Sequence, residues 1–168
     1  MRLQALPNGM LFDERAIYQL NAMLNAMREE GLSPLVISAY RSQAHQRQLF
    51  DTRVNNLMLS GLSYYSAQKE ARRSIAYPGT SEHNMGLAVD ITPAYQQILS
   101  ESLENTPEIQ WLIRHGAEFG FILRYPRGTE HITGIIFEPW HFRYVGVEAA
   151  QEIMERGITL EEYLGYVN

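Results

Sequence analysis

Apolar residues change their spacing several times along the chain, and each change marks an element. Between Asp13 and Glu30 they fall at Ile17, Leu20, Leu24 and Met27. Steps of three and four place them on one helix face, and Gly31 is the stop. Leu35 to Ala39 (LVISA) is a short unbroken apolar run and reads as a buried strand. Ser42 can cap a helix running to about Ser60, with Gly61 ending it. Ser63 starts another helix, expected to fail near Tyr77 because Pro78-Gly79 follows.

The pattern shifts in the second half. Leu87 to Ile91 (LAVDI) is short and β-rich. Thr106-Pro107-Glu108 is a helix start with proline at the first helical position, and that helix runs to about Phe119. Phe121 to Arg124, Gly134 to Phe137 and Phe142 to Val145 read as strands of an antiparallel sheet. Thr159 and Glu162 form a capping box for a last short helix. Helices lead and strands gather later, which predicts an α+β fold with helices packed on one central antiparallel sheet. No repeat, low-complexity stretch or long linker divides the chain, so residues 1–168 are expected to form a single domain.

Composition narrows the function. The formal net charge is -5 and the basic residues are scattered, so no nucleic-acid footprint is present. No run of about 18 apolar residues exists, so no membrane span is expected. The opening MRLQALPNGMLFDERA has no basic region followed by a long apolar stretch and does not read as a signal peptide. Cysteine is absent, which excludes disulfides, thiolate ligands and a cysteine nucleophile. Any metal site must therefore be built from His, Asp and Glu.

Three segments carry such chemistry. In Ser81-Glu82-His83-Asn84-Met85-Gly86-Leu87-Ala88-Val89-Asp90, a loop histidine precedes a strand and an aspartate lies near that strand's end. Both side chains are good zinc ligands, and Gly86 and Ala88 keep the backbone between them open to close approach. Alone, they also fit a loop histidine and a surface aspartate. In Glu138-Pro139-Trp140-His141, residues three apart would face opposite sides of a regular strand. Pro139 breaks that regularity, and a bulge there could turn Glu138 and His141 to one face. The alternative is an edge turn anchored in the core by Trp140. In Tyr40-Arg41-Ser42, an arginine directly follows the buried strand. It could hold a carboxylate or polarise a carbonyl, although an isolated arginine there usually forms a surface ion pair.

Together the three segments resemble the VanY-type D-alanyl-D-alanine carboxypeptidases and their L,D-carboxypeptidase relatives, zinc peptidases related to lysostaphin-like enzymes. The family pattern Ser-x-His-x-x-Gly-x-Ala-x-Asp is matched by Ser81, His83, Gly86, Ala88 and Asp90, and Glu-Pro-Trp-His by Glu138 to His141, continuing as Phe142-Arg143-Tyr144-Val145-Gly146. Phe119 to Ile122 and Arg124-Tyr125-Pro126 are also similar. The resemblance implies a hedgehog/D,D-peptidase-like fold with a Zn2+ site at the sheet. It implies His83, Asp90 and His141 as zinc ligands, Glu138 as general base and Arg41 as oxyanion donor. Ser81, Gln46, Tyr125 and Trp140 are implied in substrate binding. The expected activity is removal of the terminal D-alanine from peptidoglycan stem peptides, at a D-Ala-D-Ala or an L,D bond. An endopeptidase of the same superfamily and a non-catalytic zinc-containing peptidoglycan-binding module are the alternatives; the presence of Glu138 favours an enzyme. Location at the cell envelope follows from that substrate, and a monomer is expected. His45, His115 and His131 match no role. Neither a Gly-x-Ser-x-Gly elbow nor a His-Glu-x-x-His helix is present.

Overall fold

The computed structural model describes residues 1–167. A hairpin opens the chain, with β1 (Leu3–Ala5) antiparallel to β2 (Leu11–Asp13). Helix α1 (Ile17–Glu29) follows and buries Ile17, Leu20, Met23, Leu24 and Met27 along one stripe. The hairpin was not foreseen, because three-residue strands leave almost no alternation to detect. It also sets where α1 begins. Asp13 closes a turn by accepting the backbone N–H of Arg15 at 3.0 Å, so the helix starts at Ile17.

The central sheet has four antiparallel strands. β3 (Pro34–Ser38) pairs with β4 (Ala88–Pro93), β4 with β6 (His141–Tyr144), and β6 with β5 (Phe121–Leu123). The antiparallel α+β expectation therefore holds. The strands do not gather in the second half, however, since β3 and β4 both precede residue 94. β4 is buried along its whole length and has different faces. Val89 and Ile91 join Phe142, Phe121 and the apolar stripe of α1 in the main core, together with Ile109, Trp111 and Leu112 of α4 (Pro107–His115). Alternation sends Ala88, Asp90 and Thr92 to the opposite face.

Helix α2 (Gln43–Leu59) lies across a cavity from that face, and its Leu49 and Arg53 line the cavity together with Asp90; it is capped by Ser42, whose side chain accepts from the backbone N–H of His45. Phe50 and Val54 of α2 form a small second core with Ala67 and Ala71 of α3 (Tyr64–Ala71). α3 stops at Ala71, six residues before the predicted end at Tyr77. The chain from Arg72 to Thr80 instead folds back, and there the Ala76 carbonyl accepts from the Gln46 side chain at 2.6 Å. Gly134–Phe137 is not a strand. Gly134, at φ 74°, ends the short helix α5 (Glu130–Thr133). The Ile136 N–H then bonds to the Arg73 carbonyl at 2.8 Å instead of joining the sheet. Its β-like apolar run is explained by a cavity, which Ile135 and Ile136 line. Helix α6 (Val147–Arg156), absent from the sequence expectation, packs Ala150 and Ile153 on Ile122 of β5. Helix α7 (Leu160–Tyr163) has the expected Thr159–Glu162 capping box.

Candidate metal and catalytic site

Strand register builds the site. Ser38, Asp90 and His141 are opposite one another on β3, β4 and β6, so one row across the sheet presents a hydroxyl, a carboxylate and an imidazole. A register shift between Val36 and Ser38 turns the end of β3 into that row. His83 comes from outside the sheet, on a 3₁₀ turn spanning Glu82–Met85. Gly86 ends that turn at φ 67° and lies against the N-terminal hairpin. The left-handed φ itself favours glycine, and a Cβ there would also stand 3.3 Å from the Asp13 backbone nitrogen. The hairpin missed in the sequence thus braces the turn that carries His83.

His83, Asp90 and His141 are buried, and one ligand atom from each lies within 4.8 Å of the others. His83 Nδ1 is 2.6 Å from the Ala39 carbonyl oxygen, which accepts a hydrogen bond from it. That fixes the tautomer and leaves the Nε2 lone pair facing Asp90 Oδ2 at 3.3 Å. His141 Nδ1 is 3.0 Å from Asp90 Oδ1. The two rings meet edge to face, at 85°. Two imidazoles converging on one buried carboxylate leave room and need for a cation. In the metal-free chain that cation is a proton. Burial opposes charging His141, but Asp90 and Glu82 outweigh it and raise its pKa to about 10. His83 and His141 in turn hold Asp90 well below the usual carboxylate range despite its burial. A three-residue donor set of this kind suits zinc with one position left open.

Glu138 and His141 are brought together by a turn rather than a bulge. The His141 N–H donates to the Glu138 carbonyl at 3.1 Å, closing a β-turn with Pro139 at its second position. Glu138 Oε2 then lies 3.8 Å from His141 Nδ1. Burial, with the nearby Asp90 charge, raises the Glu138 pKa to about 7 against the opposing pull of His141 and Arg41.

Arg41 approaches from the other side of Asp90, with Nη2 at 3.8 Å from Asp90 Oδ2. It is aimed by Gln46 Oε1 and Ser38 Oγ, which accept from Nη1 and Nη2 at 2.7 and 2.9 Å. Its backbone is tied to the His83 turn. The Arg41 N–H donates to the His83 carbonyl at 3.0 Å, and Asn84 Nδ2 donates to the Arg41 carbonyl at 2.6 Å.

A cavity of about 560 Å³ opens over these groups. Ser81, Tyr125 and Trp140 line it together with Arg41 and Glu138.

 His83, Asp90 and His141 line it as well, as do the apolar Ile75, Ile135 and Ile136. The Tyr125 ring lies 4.8 Å from the His141 ring, and Trp140 also reaches the main core. Gln46 is placed differently from the expectation. It is fully buried and does not line the cavity, and its amide is committed to Arg41 and to the Ala76 carbonyl. It therefore touches Arg41 in place of a ligand. His45 and His131 are exposed, and His115 pairs with Glu118 at 2.8 Å, so none of the three joins the site.

Sequence reasoning gives three residues at the site no role. Ser38 sits in an apolar run, and Glu82 occupies an unspecified position of its motif. Arg124 donates to Glu82 at 2.8 Å and to both carboxylate oxygens of Glu161 at 2.6 and 3.0 Å, pairings that only the fold reveals.

With this geometry in place, comparison with known proteins is decisive. The family model described as VanY: D-alanyl-D-alanine carboxypeptidase matches residues 9–147. The chain belongs to the VanY family. A D-alanyl-D-alanine carboxypeptidase of Enterococcus faecalis (strain ATCC 700802 / V583) is 40% identical over 166 residues, covering 98% of this chain and 59% of the relative. The chain thus spans less than two-thirds of that relative's length. Among solved structures, a variant of the vancomycin resistance D,D-pentapeptidase VanY from a VanB-type cassette, in complex with Zn(II), superposes with a TM-score of 0.87 at 39% identity. That match covers 98% of this chain and 89% of the other. The LD-carboxypeptidase LdcB gives a TM-score of 0.82 at 34% identity, over 98% of this chain and 73% of that one.

Proposed function

We propose that this chain is a single zinc carboxypeptidase domain that removes the C-terminal D-alanine from peptidoglycan stem peptides. The observation that carries the reading is the convergence of His83, Asp90 and His141 within 4.8 Å, with the Glu138 carboxylate beside it and the Arg41 guanidinium across from it. The zinc-bound VanY structure and the LdcB LD-carboxypeptidase share this fold and support the metal and the substrate class.

His83 Nε2, an Asp90 oxygen and His141 Nδ1 are the atoms that would hold the zinc. What zinc supplies in such a site is acidification of water, from a pKa of 15.7 towards about 7. Glu138 takes the proton from the attacking water and passes it to the leaving amine. In the metal-free chain burial raises the Glu138 pKa to about 7, and a bound dication would lower it from there, so burial keeps the carboxylate basic enough to accept a proton beside the metal. Arg41 donates to the oxyanion that develops on the scissile carbonyl, and Gln46 acts through Arg41 by fixing its direction. Ser81, Tyr125 and Trp140 form walls against which the D-alanine end is placed. The enzyme works as a monomer at the cell envelope, where its substrate lies.

Mass spectrometry of products from synthetic tetrapeptide and pentapeptide stems tests the reading. Free D-alanine must be released, its release must stop with a chelator, and zinc must restore it. The stem that loses D-alanine identifies the D,D or the L,D bond. Zinc-independent release, or internal cleavage of the stem without free D-alanine, would overturn the assignment.

A further inference from the structure

We propose that Glu82 is a positioning residue for the metal site, holding the Nε2–H of His141 so that Nδ1 is the nitrogen presented to the ion. The inference rests on the zinc reading above and extends it to a residue outside the donor set.

Glu82 is almost wholly enclosed, and its two oxygens have different surroundings. Oε1 accepts from Arg124 Nε at 2.8 Å and lies 3.0 Å from Arg143 Nη1. Oε2 is buried and has no hydrogen-bond partner. His141 Nε2 is also buried without a partner. These two orphaned atoms face each other at 3.7 Å. Buried polar groups are rarely left unpaired, and each of these has the other as its complement. Meanwhile His141 Nδ1 faces Asp90 at 3.0 Å, on the side where the donor atoms converge. A neutral imidazole with its lone pair on Nδ1 must carry its proton on Nε2. Glu82 Oε2 is the acceptor placed to receive it. Ligating histidines generally donate their second ring N–H to such a group, which fixes the tautomer.

A purely structural role for Glu82, neutralising two buried guanidinium groups, explains Oε1 but leaves Oε2 unexplained. The support also extends outward. Glu161 of α7 grips the other two nitrogens of Arg124 at 2.6 and 3.0 Å, so α7 is connected through Arg124 and Glu82 to a ligand of the site. Glu82→Gln discriminates between the roles. Its single carbonyl oxygen can serve either the arginines or His141. With the oxygen on the arginines, the amide N–H₂ would face Nε2–H, which favours the opposite tautomer and withdraws the Nδ1 lone pair.

The test combines zinc affinity, measured by competition with a chromogenic chelator, with ¹⁵N NMR of the histidine rings in the zinc-loaded protein. Wild-type His141 is expected to be protonated on Nε2 and ligated through Nδ1. Glu82→Gln is expected to weaken zinc binding by about 10–100-fold, with partial recovery in Glu82→Asp and a smaller loss in Glu161→Gln. Ligation of wild-type His141 through Nε2 overturns the proposal without any variant, so a poorly folding Glu82→Gln does not protect it. Unchanged zinc affinity in a folded Glu82→Gln also overturns it. A wild-type chain that takes up no zinc removes the zinc reading and this inference together, whereas zinc uptake with the opposite tautomer overturns this inference alone.

Discussion

Glu138→Gln separates catalysis from metal binding most cleanly. The substitution keeps the side chain's shape and removes its charge and basicity. Glu138 makes no side-chain hydrogen bond among the described residues, and its nearest charged neighbour, His141 Nδ1, is 3.8 Å away. No buried partner is therefore abandoned when the carboxylate becomes an amide. Burial already raises the Glu138 pKa from 4.5 to about 7, so its ionised form is disfavoured in the folded chain. Removing that charge should leave the metal-free protein's thermal midpoint unchanged or higher, with a gain of about 3 kcal/mol at most. Zinc content should stay at one equivalent, because the three donor atoms are untouched. Turnover should fall by about 10²–10⁴, the usual contribution of a positioned general base, or roughly 3–5 kcal/mol of barrier. The assay is D-alanine release at saturating stem peptide, with metal content measured on the same sample. A zinc-loaded Glu138→Gln retaining more than a tenth of wild-type kcat would refute the assigned role.

Other perturbations have different signatures. Arg41→Ala should retain zinc and lose about 10²–10³ in kcat, while Gln46→Ala, acting through the direction of Arg41, should lose less; steady-state kinetics on both variants checks the order. Gly86→Ala must adopt φ near 67° and place a Cβ 3.3 Å from the Asp13 backbone nitrogen, and should destabilise the fold by about 1–3 kcal/mol in denaturant titration. In the metal-free protein, His141 has its pKa raised from 6.5 to about 10, despite burial, by Asp90 and Glu82. The resulting stability is fully present below about pH 6.5 and is lost as pH rises through about 10. Thermal midpoints of the metal-free protein should fall across that window, and His141→Ala should abolish the fall.

The grouping of His83, Asp90 and His141, with Glu138 beside them, was legible in the sequence because the four residues stand in two tight motifs of types that suit a metal site. The helices were legible where caps and apolar spacing agreed, as at Ser42 and Thr106. Local pattern failed where tertiary contacts decide the backbone. Ile135 and Ile136 look like strand residues, yet they line a cavity. Gln46 looks like a ligand contact, yet its amide is committed to Arg41 and Ala76. The Glu161–Arg124–Glu82 series spans 79 positions of sequence, shown by the numbering from Glu82 to Glu161, and only strand pairing and the docking of α7 bring it together.

The proposed chemistry depends on two imidazoles and one aspartate binding a single zinc ion. Anomalous diffraction at the zinc edge from crystals of the zinc-loaded protein tests it most directly. One strong peak is expected, ligated by His83 Nε2, an Asp90 oxygen and His141 Nδ1. A peak elsewhere, or none at stoichiometric zinc, would contradict it.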